Sequence, residues 1–200
     1  MVAQIVKIVY VAVVKKIKHI VFVHDFAGFA SFFRSIKFMK CPSCGHAGAL
    51  NRHSILRGND PAASMGTIIR GQRVFCSSRG QRGGCGGTFS VMFDRVMPRH
   101  SFTAPLLWQA VCHRVDGLSA RSAWQMVKTP LALDSFYHFL QRTRLRLSVL
   151  RSVLSSAGRP PSSLQRDPLL QTFEHLRIVF PGDPCPISAF QRRFQMPFSG

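Results

Sequence analysis

The chain has 200 residues and a formal net charge of +19, from 27 lysines and arginines against 8 acidic residues. That length fits one or two small domains, and the charge imbalance points to a polyanionic partner, either nucleic acid or an anionic membrane surface. Six cysteines are few for a disulfide scaffold of this length, and their spacing argues instead for metal ligation in a reducing compartment.

Residues 1–33, within an N-terminal extension of 1–38, are apolar and β-branched, with Lys7, Lys15, Lys16 and Lys18 scattered among them. The longest uncharged run, 8–14, falls short of the roughly twenty residues that a bilayer span needs. The lysines interrupt the apolar stretch, unlike the unbroken middle of a secretory signal. The segment reads as a strand pair or an amphipathic surface helix, without stable membrane insertion. Composition changes at Met39, from valine- and lysine-rich to arginine- and glycine-rich, and Met39 directly precedes Lys40-Cys41-Pro42. The expectation is that Met39 is the natural start and that 1–38 is an over-extended reading frame.

Residues 39–98 carry two cysteine pairs. The first reads Cys41-Pro42-Ser43-Cys44-Gly45-His46. A Cys-x-x-Cys turn offers two thiolates to a tetrahedral metal from one tight knuckle. Pro42 stiffens it, and Gly45 permits the positive φ that turns backbone amides toward the sulfurs. The second pair, Cys76 and Cys85, is separated by eight residues where a knuckle has about two. Either this knuckle carries an inserted basic loop and still closes on Zn2+, or His46 or His53 completes the ligand set. A metal-free core of reduced cysteines is the plainer alternative, but a short glycine-rich segment has little apolar surface to hold itself together. Four thiolates also suit iron. Strands are expected at 67–75 and 88–93, entering and leaving the second knuckle. Gly58-Asn59-Asp60-Pro61 reads as a turn. Arg73, Arg79 and Arg82 project from the strand end and the loop as phosphate contacts.

The run Cys-Pro-x-Cys-Gly, then Gly71-Gln72-Arg73-Val74-Phe75-Cys76, then Cys85-Gly86-Gly87-Thr88-Phe89-Ser90 resembles the N-terminal zinc ribbon of insertion-sequence transposition proteins. The resemblance covers about 39–90 and more loosely the helical part to about 156. The long Cys76–Cys85 spacing departs from the family pattern. The resemblance implies a ribbon followed by a helix-turn-helix, and DNA binding at transposon ends or regulation of transposition. It does not by itself imply catalysis.

Residues 99–156 read as helix, Gly-Leu-Ser turn, short helix, turn, helix, the outline of a helix-turn-helix. The first helix spans 101–116, with Ser101 or Thr103 as cap, Pro105 in the first turn and Gly117 as stop. Ser119 caps the second, which Thr129-Pro130 ends. The third runs from 134 to 155. Ser135, His138, Gln141 and Arg142 are its candidate base readers, with Arg144 and Arg146 nearer the DNA backbone and Arg121 on the second helix. Phe136, Leu140, Thr143, Leu147, Leu150 and Leu154 form a short heptad seam, which either packs into its own domain or supports a homodimer through 134–155.

Residues 157–200 read as a linker and a helical tail. Asp167-Pro168 opens one helix, and 187–195 forms another, from which Phe190, Phe194 and Phe198, at four-residue spacing, dock on the preceding helix. Cys112 reads as core, while Cys185 has no evident role.

The acidic residues are Asp25, Asp60, Asp94, Asp116, Asp134, Asp167, Glu174 and Asp183. They fit no metal-binding triad on a nuclease-type sheet, and no serine–histidine–carboxylate frame stands out. Four cysteines leave a metal no open position. The reading is therefore an α+β chain, a small β zinc ribbon followed by a helical, helix-turn-helix-like domain and a short helical tail. It is expected to be a non-enzymatic, zinc-dependent DNA-binding regulator or accessory protein of transposition, bacterial, cytoplasmic and nucleoid-associated, with no small-molecule substrate. The alternative is an RNA-binding, ribosome-associated ribbon in which Phe75, Phe89 and Phe93 stack bases.

Overall fold

The computed structural model describes residues 19–59, 66–80 and 83–199. Residues 1–18, Asp60-Pro61 of the expected turn, and Arg82 lie outside them. The architecture is α+β, with a four-stranded sheet and seven α-helices among the described residues. The strands are β1 (Ile20–Val23), β2 (Leu50–Asn59), β3 (Thr67–Cys76) and β4 (Thr88–Phe93), in the order β1-β4-β3-β2. β1 runs parallel to β4, while β2–β3 and β3–β4 are antiparallel.

The two strands expected around the second knuckle are β3 and β4. β2 was not foreseen, and Gly58 and Asn59, expected in a turn, are its last residues. Its partner β3 holds it in extended form, with register shifts at Arg52/Ile55 and Leu56/Arg57. Such bulges, with exposed Arg52 and Arg57, blunt an edge strand against further pairing.

Residues 19–38 belong to this fold. β1 extends the sheet, and α1 (Phe26–Ser35) follows, its first turn capped by Asp25, whose carboxylate accepts from the Gly28 amide at 2.8 Å. Phe33 on α1, and Ile36 in the 3-10 turn after it, pack with Leu50, Val74, Cys76, Phe89 and Val91. The packing boundary therefore does not coincide with Met39.

The helices follow as α2 (Ala104–Val115), α3 (Ala120–Met126), α4 (Leu133–Arg144), α5 (Leu147–Ser155), α6 (Pro168–Val179) and α7 (Pro186–Phe194). Thr103 occupies the cap position of α2 without a side-chain bond, and Pro105 lies in the first turn. Ser119 caps α3 through the Ser122 amide, and Asp167 caps α6 through the Leu169 amide. The expected single helix over 134–155 is two. Arg146 leaves helical geometry at ψ 7°, and its guanidinium donates to the Pro197 carbonyl at 2.7 Å. The break lets α5 fold back on α6. Phe136, Leu140, Thr143, Leu150 and Leu154 are all buried, so the heptad seam is spent on the chain's own core.

That core is aromatic-rich. Trp124 of α3 stacks on Phe136 of α4 at 5.0 Å, and Phe139, Phe173 and Phe198 stack onward at 6.0–6.4 Å. Each such pair contributes about 0.5–1.5 kcal/mol beyond its buried area. Cys112 packs at the edge of this core and Cys185 is buried in it. Phe190 and Phe198 are fully buried there, while Phe194 is half-buried against Phe180 and Phe190.

The tail joins the two parts. From α7, Gln191 donates to the Asp94 and Val96 carbonyls at 2.6 and 3.0 Å. Gln195, just past α7, brackets the Phe22 backbone, accepting from its amide at 2.8 Å and donating to its carbonyl at 3.1 Å. Arg192 pairs with the buried Asp94 at 2.6 Å and with Asp183 at 3.2 Å.

Candidate metal centre

The first knuckle is built by local hydrogen bonds. The Cys41 amide donates to the His46 carbonyl at 2.9 Å, and the Gly45 amide donates to the Cys41 carbonyl at 2.8 Å. Ser43 aims its amide at the Cys41 Sγ at 3.4 Å. Gly45 holds φ +73°, the left-handed conformation that glycine adopts without strain.

The second knuckle repeats this pattern. The Cys76 amide donates to the Gly87 carbonyl at 2.9 Å, and the Gly86 amide donates to the Cys76 carbonyl at 3.0 Å. Gly86 follows Cys85 as Gly45 follows Cys44, and has φ +71°. The Gly84 amide donates to the Ser77 carbonyl at 3.1 Å, so Ser77 and Gly84 meet although six more residues separate them than a knuckle needs. Ser77 and Gly84 thus take the places of Pro42 and Ser43. A β-carbon on Gly84 would lie 2.2 Å from the Ser77 oxygen and 2.7 Å from the Cys76 Sγ, so only glycine fits.

The two knuckles bring Cys41, Cys44, Cys76 and Cys85 together with all four sulfurs within 4.8 Å of one another. The Cys41–Cys85 and Cys44–Cys76 sulfurs are 3.9 and 3.8 Å apart. Disulfide sulfurs would be about 2.05 Å apart. A tetrahedron of thiolates around a metal at about 2.3 Å has edges of about 3.8 Å. The four thiols could therefore hold a metal ion. Neither His46 nor His53 joins the group among the described residues. His46 lies against Gly83 of the inserted loop, and His53 Nδ1 meets the Ser54 hydroxyl at 3.1 Å.

The thiols differ in acidity. The His46 amide, followed by the other three thiols, lowers the exposed Cys44 to about 7. Burial pushes Cys76 up to about 12. The Gly87 amide draws Cys85 down, but burial and the Cys44 and Cys41 thiols outweigh it and leave it raised. Cys44 is thus the first of these three to become a thiolate, and a bound cation would favour the thiolate form of Cys76 and Cys85, whose thiols are raised.

The expected nucleic-acid contacts are dispersed. Arg73 is half-buried on β3, and Arg79 is exposed in the inserted loop. Arg121 is exposed on α3. On α4, His138, Gln141 and Arg142 are exposed and Ser135 is half-buried. Arg144 is exposed and paired with Asp167 at 3.0 Å. Arg146 is turned to the Pro197 carbonyl, so its donors serve the tail. Phe89 and Phe93, expected as stacking residues, are 3% and 1% exposed and belong to the core, leaving Phe75 half-buried on the sheet. Sequence reasoning missed the parts played by Ser77, Gly84 and Gly86. The repeated Cys-Gly step after Cys44 and Cys85 is the signal that marks them.

Comparison of the chain with protein-family models, with curated proteins and with solved structures gives no match.

Proposed function

We propose that the chain is a zinc-dependent DNA-binding protein that acts as a regulator or accessory component of transposition, without catalytic chemistry of its own. The observation that carries the metal half of this reading is the four-thiol cluster, whose 3.8 and 3.9 Å edges fit a closed four-cysteine zinc site. A closed site supplies folding energy and leaves no position for a substrate. The net charge of +19 supports a polyanionic partner.

The arrangement of α3 and α4 supports the DNA half. The connection after α3 turns through Lys128 at φ +51°, and the Trp124 indole donates to the Leu131 carbonyl at 3.0 Å. The Trp124–Phe136 stack then fixes α4 against α3. His138, Gln141 and Arg142 stand on the exposed side of α4, where a helix entering the major groove needs donors and acceptors. The proposed setting is the bacterial cytoplasm at the nucleoid, where thiols stay reduced. No helix among the described residues is long and apolar enough to cross a membrane.

The test is selection of enriched sites from random duplex DNA by the full chain at two salt concentrations, with zinc quantified. An enriched site with about one zinc per chain is the expected result. Binding that is uniform over sequences and vanishes steeply with salt would reduce the reading to charge alone.

A further inference from the structure

Three apolar clusters account for the packed side chains of the sheet and helices, and Phe75 belongs to none of them. The strand register explains why. Asn51, Phe75 and Thr88 pair across β2, β3 and β4 in one row, and Arg73, Ser90 and Ile20 pair across β3, β4 and β1 in the next. Paired residues of neighbouring strands point to the same face. α1 covers the opposite face, over Val74, Phe89 and Val91. On the Phe75 face, Phe22 and Met92 are closed over with Val96. Toward the knuckles the face opens, with Phe75 and Arg73 half-buried and Thr88 and His53 exposed.

Two cations meet this open strip, Arg73 within it and Lys37 at its edge. The Lys37 Nζ donates to the Asn51 side-chain oxygen at 2.6 Å, beside the Phe75 row. The His53 ring lies 6.4 Å from the Phe75 ring. Residues 26–93 carry nine lysines and arginines against one acidic residue, Asp60, and none of the four strands contains an acidic residue. The strip is too polar for a lipid surface, since Asn51, Thr88 and Ser90 share it with one aromatic ring. An aromatic face flanked by cations on an open sheet offers an unpaired base a stacking partner and its phosphates counter-charges. A base inside a duplex already has both faces covered.

We propose that this strip binds single-stranded nucleic acid, with a base stacked on Phe75 and the flanking phosphates on Arg73 and Lys37. This goes beyond duplex binding through α4, and the two fail separately.

The test titrates zinc-loaded full chain into fluorescein-labelled dT12, U12 and a 20-base-pair duplex, followed by anisotropy at two salt concentrations. Phe75→Ala should weaken one or both single strands about tenfold or more, with duplex affinity within twofold, and Phe75→Tyr should restore it. Arg73→Gln, which leaves the ring in place, should lower the salt slope for the single strand by about 0.7. Preference between dT12 and U12 decides whether the strand is DNA or RNA. The proposal falls if the wild-type chain ignores both single strands, if Phe75→Ala binds them as the wild type does, or if Phe75→Tyr behaves like Phe75→Ala. Loss of site selection on the duplex with single-strand binding intact would overturn the α4 reading alone.

Discussion

Gly84 donates its amide to the Ser77 carbonyl at 3.1 Å, and that contact closes the second knuckle and sets Cys85 beside Cys41. Removing residues 78–83 would leave Cys76-Ser77-Gly84-Cys85, a knuckle of ordinary length. Such a deletion should keep about one zinc per chain, as read by metal analysis after gel filtration. Gly84→Ala should lose the metal, because its β-carbon would collide with the Ser77 oxygen and the Cys76 sulfur. Zinc lost from the deletion and kept by Gly84→Ala would reverse this account of the second knuckle.

Metal uptake should release fewer protons as pH rises. Cys44, lowered to about 7, is a thiol below that pH and a thiolate above it, whereas Cys76 at about 12 stays protonated throughout the neutral range. Proton release on zinc binding should therefore fall by about one between pH 6 and pH 8. Calorimetry in two buffers of different ionisation enthalpy measures it. Cys44→Ser should abolish the change.

His100 sets an acid limit on the fold. Burial, with Arg142, Arg70 and His138 nearby, lowers it from 6.5 to about 4, and its Nε2 meets the Ser199 hydroxyl at 2.9 Å. The unfolded chain takes up this proton at about pH 6.5 and the folded chain only near pH 4. Stability is thus present in full above 6.5 and is lost as pH falls through that window. Tm should drop across it, and His100→Gln should flatten the slope there relative to the parent chain.

Arg192 holds Asp94, a carboxylate that is 3% exposed on its side chain. Arg192→Ala leaves Asp94 with His24 as its remaining ion partner among the described residues. The expected cost is about 1–3 kcal/mol, that of an under-satisfied buried acceptor. Denaturant midpoints should show it, and Asp94→Asn in the Arg192→Ala background should recover part of it.

On the selected duplex site, Gln141→Ala should cost about 1–3 kcal/mol and relax one base position. Arg121→Ala should weaken all sequences alike and reduce the duplex salt slope by about 0.9, as loss of a phosphate contact does. Repeating the site selection with each variant separates the two outcomes.

The sequence by itself determined what depends on near neighbours. Ser119 and Asp167 were legible as caps because a cap bonds an amide two or three residues away. β3 and β4 were legible from their apolar runs beside the cysteines, and the Cys-x-x-Cys step placed Cys41 and Cys44. Only the tertiary structure decided the rest. The closure of the second knuckle depends on β3 and β4 lying side by side, so that Ser77 and Gly84 meet. β1 joins the sheet through parallel pairing to β4, and Gln195 grips Phe22 across 173 residues. The helix over 134–155 is broken at Arg146, whose guanidinium bonds the Pro197 carbonyl, a partner 51 residues away. Such contacts leave no periodic or local mark in the chain. Their energy is gained only after the intervening loops have closed, so they are fixed by the assembled fold and not by the propensities of the segments that make them.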